Sequence, residues 1–123
     1  MRVLLSIKPE FIEKIFKGEK LYEFRTRKFK RNDIKIIIVY ASSPIQKVVG
    51  EIEIEQIIEG KKDQLWNITK QSSGVSKNYY DEYFKGKDYA YAIKIKKVKR
   101  YKTYLSLEKD FNIYSAPQSF IYL

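Results

Sequence analysis

The run Gly18-Glu19-Lys20-Leu21-Tyr22-Glu23-Phe24-Arg25 holds the side chains best suited to chemistry. Lys20 follows a helix stop and precedes a strand, a junction from which an ammonium can enter a cleft. There it would neutralise a phosphate, or act as a base once burial lowers its pKa. Glu23 and Arg25 are two apart and share one face of a strand. Arg25 offers a planar fork to a phosphate or a base edge. Glu23 can orient Lys20 or Arg25, or accept a proton. The plainer alternative is a solvated lysine beside a helix C-terminus and a surface ion pair worth less than about 1 kcal/mol. Lys8 stands just before a helix, where exposed N–H groups already favour anions. Tyr40, Ser42 and Ser43 end a central strand and carry hydroxyl donors. Their alternatives are a core position for Tyr40 and a simple turn at Ser42-Ser43-Pro44.

The chain contains no His and no Cys. That excludes Ser–His–Asp triads, imidazole zinc sites, His acid–base pairs, thiol nucleophiles and disulfides. Catalysis, if there is any, falls to Lys, Tyr, Ser, Thr, Glu, Asp or Arg, with Lys20 and Glu23 as the candidates. Glu51, Glu53 and Glu55 alternate along one strand. A divalent cation is one use for such a stripe, but a solvated face paired with lysines is the better reading. No metal and no cofactor are expected.

The elements that must position these groups follow from periodicity. Arg2–Ile7 reads as a strand. Pro9–Lys17 reads as a short amphipathic helix, with Pro9 at its first position and Gly18 as its stop. Leu21–Arg27 alternates, placing Glu23, Arg25 and Arg27 on a charged face. The run from Ile36 to Ala41 is a buried central strand. Lys47–Ile58 is a long strand broken by Gly60. Asp63–Thr69 is a helix, and Ser76 caps another through Phe84 with Tyr79, Tyr80 and Tyr83 packing. Tyr89–Tyr101 is a last long strand, and its slip of phase after Ile95 predicts a bulge near Lys96-Lys97. The tail from Ser115 to Leu123 ends apolar and should dock back as a final strand. The 123 residues fit one α+β domain, a small mixed β-barrel with short flanking helices.

Charge is uneven. Residues 1–34 carry +5, residues 35–60 carry −2, residues 61–88 carry +2 and residues 89–123 carry +5, a total of +10. Two basic ends that met in the fold would make one face for a polyanion. Lys94, Lys96, Lys97, Lys99 and Arg100, with Arg27, Lys28, Lys30 and Arg31, would line a backbone groove. Tyr91, Tyr101 and Tyr104 stand among them for stacking. No apolar run is long enough to span a membrane, and the apolar start is too short for a signal peptide, so a cytoplasmic location is expected.

The pattern Gly-x-Lys-x-x-Glu-x-Arg, after a helix opened by Ile7-Lys8-Pro9, resembles the ASCH domain family of the PUA-like superfamily. Val39-Tyr40-Ala41-Ser42-Ser43-Pro44, Val49-Gly50-Glu51-Ile52, Tyr89-Ala90-Tyr91-Ala92-Ile93 and Ala116-Pro117-Gln118-Ser119-Phe120 extend the resemblance over nearly the whole chain, as in small stand-alone members. It implies a PUA-like β-barrel with a cleft beside the Gly-x-Lys junction, and an association with RNA. Some small members resemble single-strand ribonucleases. Another branch removes acetyl from N4-acetylcytidine with a Lys and a Thr three positions on; here that position is Glu23.

The leading reading is an RNA-binding domain, RNA being preferred to DNA, that takes single-stranded or modified nucleotides in a cleft of Lys8, Lys20, Arg25, Tyr40, Ser42 and Ser43. The alternative is a His-independent enzyme on RNA or nucleosides, of the ribonuclease or amidohydrolase kind, with Lys20 as base or charge stabiliser and Glu23 assisting. A third is a regulatory, protein-binding domain without nucleic acid. A buried Lys20 touching Glu23 would favour the enzyme, and a wide exposed groove would favour binding alone. Nothing in the sequence specifies an oligomeric state.

Overall fold

A computed structural model describes residues 1–123. The strands are β1 (Arg2–Ile7), β2 (Tyr22–Arg25), β3 (Ile36–Ala41), β4 (Lys47–Lys61), β5 (Tyr89–Leu105) and β6 (Phe120–Tyr122). The helices are α1 (Pro9–Phe16), α2 (Lys62–Thr69), α3 (Lys77–Tyr83) and α4 (Leu107–Phe111). The six strands form one sheet in the order β2-β5-β4-β3-β1-β6. Only β1 and β3 run parallel; the other neighbours are antiparallel. The sheet is curled into a half-barrel whose free edges are β2 and β6, so the expected barrel is left open.

Curling comes from irregular pairing along the two long strands. Glu53 pairs with Lys97 and Ile54 with Ile95, which leaves Lys96 as the extra residue of a bulge on β5. The predicted phase slip is therefore real, and it bends the strand. A second shift, between Ile54 and Gln56, leaves Glu55 extra on β4. At Gly50 a side chain would collide with the Lys99 carbonyl oxygen and the Phe16 ring. Glycine there lets β4, β5 and α1 approach closely.

Alternation divides the apolar residues between two sheet faces. Val3, Leu5, Ile37 and Val39 enter the main core with Ile12 and Ile15 of α1. Leu4, Ile38, Tyr40 and Val48 face the other way, beneath Leu107 and Phe111 of α4. A third cluster joins Phe24, Leu65, Tyr80 and Phe84, packing α2 and α3 against β2 and β5.

Several boundaries differ from the sequence reading. Gly60 does not break β4: it pairs with Ala90, and the strand runs on to Lys61. Long antiparallel pairing with β5 outweighs the modest cost of glycine inside a strand. β5 extends to Leu105, and α4, capped by the Ser106 hydroxyl, follows it unforeseen. The apolar tail docks as expected, as β6 antiparallel to β1.

Candidate functional site

Helix α1 ends where Gly18 takes a φ of +81°, a conformation glycine adopts without a side-chain penalty. The Glu19 and Lys20 N–H groups both donate to the Lys14 carbonyl, at 2.9 and 3.1 Å. The Leu21 N–H then donates to the Ser72 carbonyl at 2.9 Å, and the Leu21 carbonyl accepts from Ile95 N at 3.0 Å. These bonds turn Lys20 inward.

Lys20 is 1% exposed. Its Nζ donates to the Ser73 carbonyl at 2.6 Å. The ammonium also lies 5.2 Å from the Phe11 ring centre and 4.9 Å from that of Phe24, within cation–π range. Burial lowers its pKa to about 8, against the opposing pull of Glu23 and with a small further push from Lys14. Its stem lies on Gly74, where any side chain would overlap the Lys20 methylenes. Gly74 has a φ of +70°, so backbone shape and space both demand glycine there. Lys14 Nζ donates to the Gly74 carbonyl at 3.1 Å and helps hold the loop.

Glu23 is also buried. Burial raises its pKa, while Lys20 and Arg25 act in the opposite sense. Arg25 Nη1 donates to Glu23 Oε2 at 3.4 Å, and Nη2 donates to Ser119 Oγ at 3.0 Å. The face expected to be charged is thus turned into the protein at Glu23. Burial pushes the two pKa values toward each other, while Lys20 and Glu23 form no direct ion pair: Lys20 bonds Ser73 and Glu23 bonds Arg25.

Lys8, Lys20, Glu23 and Arg25 line one pocket with Tyr79 and Tyr83. Its volume is about 180 Å³, below the roughly 300 Å³ at which drug-sized sites begin. Tyr79 and Tyr83 are nearly parallel, at 11° and 6.1 Å between ring centres. Lys8 Nζ lies 5.3 Å from the centre of the Tyr79 ring. Burial raises the Tyr83 pKa, with Arg25 opposing. Ser6 and Gln118 complete the rim, and Ser6 Oγ donates to the Pro117 carbonyl at 2.8 Å. The C-terminal segment is thereby fastened beside the pocket, where the half-barrel stays open.

Four of the seven candidate residues, Lys8, Lys20, Glu23 and Arg25, meet in this pocket. Tyr40, Ser42 and Ser43 do not line it. Tyr40 is buried with Leu4, Ile38 and Val48 on the opposite sheet face. Its position on β3 sends it there, since its neighbours Val39 and Ala41 take the pocket-side core. The Ser42 N–H donates to the Ile7 carbonyl at 3.1 Å and opens the turn. Sequence reasoning missed Tyr79, Tyr83, Ser6 and Gln118. A usable signal was present on α3: three tyrosines on a helix this short cannot all face inward, and only Tyr80 is buried.

The glutamates of the acidic stripe are engaged by neighbouring side chains, and Glu53 Oε2 is itself buried. Glu53 meets Lys96 at 3.6 Å, Glu55 meets Lys94 at 2.9 Å, and Glu51 Oε2 accepts from Tyr101 Oη at 2.7 Å.

The ASCH domain profile matches residues 5–116. The chain belongs to the ASCH domain family. The crystal structure of ASCH from Zymomonas mobilis superposes with a TM-score of 0.89 at 27% identity, covering 99% of this chain and 87% of that one. A serine-to-alanine variant of that protein gives a TM-score of 0.90 at 26% identity, with the same coverage. An ASCH domain-containing ribonuclease of Zymomonas mobilis is 33% identical over 89 residues, 72% of this chain and 60% of the relative. A large ribosomal subunit protein uL22 of Ureaplasma parvum is 36% identical over 92 residues. That stretch is 75% of this chain and only 29% of the ribosomal protein. The N-terminal domain of Staphylothermus marinus McrB shares the fold at a TM-score of 0.56 and 15% identity, covering 93% of this chain and 81% of that one. No helix is long and apolar enough to cross a membrane.

Proposed function

We propose that this ASCH protein cleaves single-stranded RNA in the Lys20 pocket. The observation that carries the reading is the buried Lys20–Glu23 pair beside Arg25, in a pocket with a cationic, aromatic rim. A surface built only to hold a polyanion gains nothing by burying its lysine, because the cost of desolvation weakens the charge it offers. The similarity to an ASCH domain-containing ribonuclease supports turnover over binding alone. The amidohydrolase variant is less well supported, since Glu23 stands where that branch has Thr.

The roles follow from the environments. Lys20, with its pKa near 8, supplies a neutral amine to a useful fraction of molecules near neutral pH. It removes the proton of a ribose 2′-hydroxyl. The 2′-oxygen forms a bond to phosphorus, and the bond from phosphorus to the 5′-oxygen breaks. Glu23, held protonated more readily by burial, gives its proton to the departing 5′-oxygen. Arg25 balances charge on the non-bridging phosphate oxygens. Tyr79 and Tyr83 stack against the base. The products are a 2′,3′-cyclic phosphate and a 5′-hydroxyl.

End-labelled single-stranded RNA tests this directly, with and without a metal chelator. Wild type should yield cyclic-phosphate ends, and Lys20→Ala should lose at least about a hundredfold in rate, the scale of general acid–base catalysis. Far-UV circular dichroism checks that the variant is folded. RNA that is bound but left intact by wild type returns the protein to the class of binding domains. Release of acetate from N4-acetylcytidine in the same assay would move it to the deacylating branch.

A further inference from the structure

A second cleft, of about 360 Å³, lies beneath the loop joining β2 to β3. It shares no residue with the Lys20 pocket. Its floor is apolar, built on Phe29, Ile34 and Ile54, all buried. Its rim is cationic, with Lys28, Lys30, Arg31 and Lys35. Lys28 meets Glu59 at 3.5 Å, and Arg31 grips Asp33 at 3.0 Å. Glu55, the other carboxylate of the cleft, is held by Lys94. Lys30 and Lys35 have no carboxylate partner. The acids of the cleft are therefore already matched, and two cations are left over.

The cleft adjoins the first pocket through one pair of residues. Arg25 of β2 and Tyr91 of β5 are in register. In-register partners of an antiparallel ladder project to the same face and lie about 5 Å apart. Arg25 lines the Lys20 pocket, and Tyr91 lines the second cleft. Asn32 and Gln56 add amide donors and acceptors to the cleft wall.

We propose that this cleft is a second nucleotide subsite, holding the part of the RNA strand next to the nucleotide at Lys20. Lys30 and Lys35 take backbone phosphate. Tyr91 and the apolar floor meet the base, and Asn32 or Gln56 reads its edge. A free phosphate would use the cations but not the floor. A nucleotide uses both, together with the amides and the aromatic ring. The inference rests on the assignment of RNA to the first pocket.

The test measures anisotropy of labelled 2′-O-methyl RNA, which cannot be cleaved through its 2′-oxygen, across a salt series. A mononucleotide and a hexanucleotide are compared. Lys30→Ala/Lys35→Ala should weaken the hexanucleotide about tenfold and lower its log–log salt slope by about 1.4, at about 0.7 per lost phosphate contact. Mononucleotide affinity should not change. Lys102→Ala/Lys109→Ala removes the same charge from the far end of β5 and from α4, and should alter neither ligand. Lys30→Arg/Lys35→Arg should keep the slope. The subsite is overturned if the alanine pair binds the hexanucleotide as wild type does, or if the distant pair weakens it equally. Cleavage of unmodified RNA by wild type is scored separately. Loss of slope without cleavage keeps the cleft and rejects catalysis, and cleavage with unchanged slopes does the reverse. If wild type binds neither RNA, both assignments fall.

Discussion

Lys20 and Glu23 make pH the informative variable at the scale of single residues. With Lys20 as the base and Glu23 as the acid, kcat/KM should follow a bell-shaped pH profile, lost at low pH where Lys20 is protonated and lost again at high pH where Glu23 has given up its proton. Lys20→Arg should remove the ascending limb together with the activity, because a guanidinium does not give up its proton in this range. A pH–rate profile of both proteins checks this. Stability carries the same signature. Lys20 titrates near 8 when folded and at its ordinary 10.5 when unfolded. Between those values the unfolded chain binds more protons, so stability rises with pH. Glu23 acts with the opposite sign at lower pH: its folded pKa is raised, so its contribution is lost as pH climbs through that value. Urea titrations at pH 7.5 and 10 should show wild type gaining on the order of 2 kcal/mol over Lys20→Met across the interval. An equal response from both proteins would mean that Lys20 is not buried as a cation. These two residues were legible as candidates from type and spacing alone. Their burial was not, because exposure depends on the loop at Ser73 and Gly74, far away in sequence.

At the scale of elements, the pocket depends on a loop and a terminal strand that carry no catalytic group. Gly74→Ala places a side chain where the Lys20 stem lies and forces an alanine to a φ of +70°. The left-handed conformation alone costs about 1–2 kcal/mol. The expected result is a lowered urea midpoint together with a large drop in cleavage, whereas Gly86→Ala, with open space around it, should lower the midpoint and spare activity. The second element is β6. The Tyr122 hydroxyl accepts from the Lys30 and Arg31 N–H groups at 2.9 and 3.4 Å, and Phe120 meets Phe29 edge-on at 4.9 Å. This strand therefore supports the loop over the second cleft. Tyr122→Phe should cost about 1 kcal/mol and speed amide exchange at Lys30 and Arg31. Unchanged exchange would mean that the loop holds itself. The docking of an apolar tail was readable in advance, but its service to a loop some ninety residues away was not.

For the whole molecule, the surplus of +10 is not spread as one basic groove. Two of the four β5 lysines expected to line such a groove are matched by β4 glutamates, Lys94 with Glu55 and Lys96 with Glu53, while Lys97 and Lys99 form no ion pair. Arg100 is turned to Glu13 of α1. Of that run, Lys94 reaches the second cleft through its ion pair with Glu55 of the cleft wall. Long antiparallel pairing of β4 with β5 brings the two charge stripes side by side, so part of the β5 charge serves the sheet. The half-open sheet then leaves the Lys20 pocket at its seam, between β2 and the C-terminal segment.

The sequence by itself determined the family, the six strands and the helices other than α4, the cap at Ser76, the bulge at Lys96, and Lys8, Lys20, Glu23 and Arg25 as residues of interest. These are local properties: periodicity, turn chemistry and the spacing within a motif act over a few residues. Only the tertiary structure decided that Lys20 and Glu23 are buried, that Tyr79 and Tyr83 join them while Tyr40 faces away, and that Lys30 and Lys35 keep no acid partner. Burial, pKa and charge pairing are set by what lies nearby in space. Here those neighbours come from α3, β4 and the C-terminal segment, and the curvature of the sheet, not their order in the chain, brings them together.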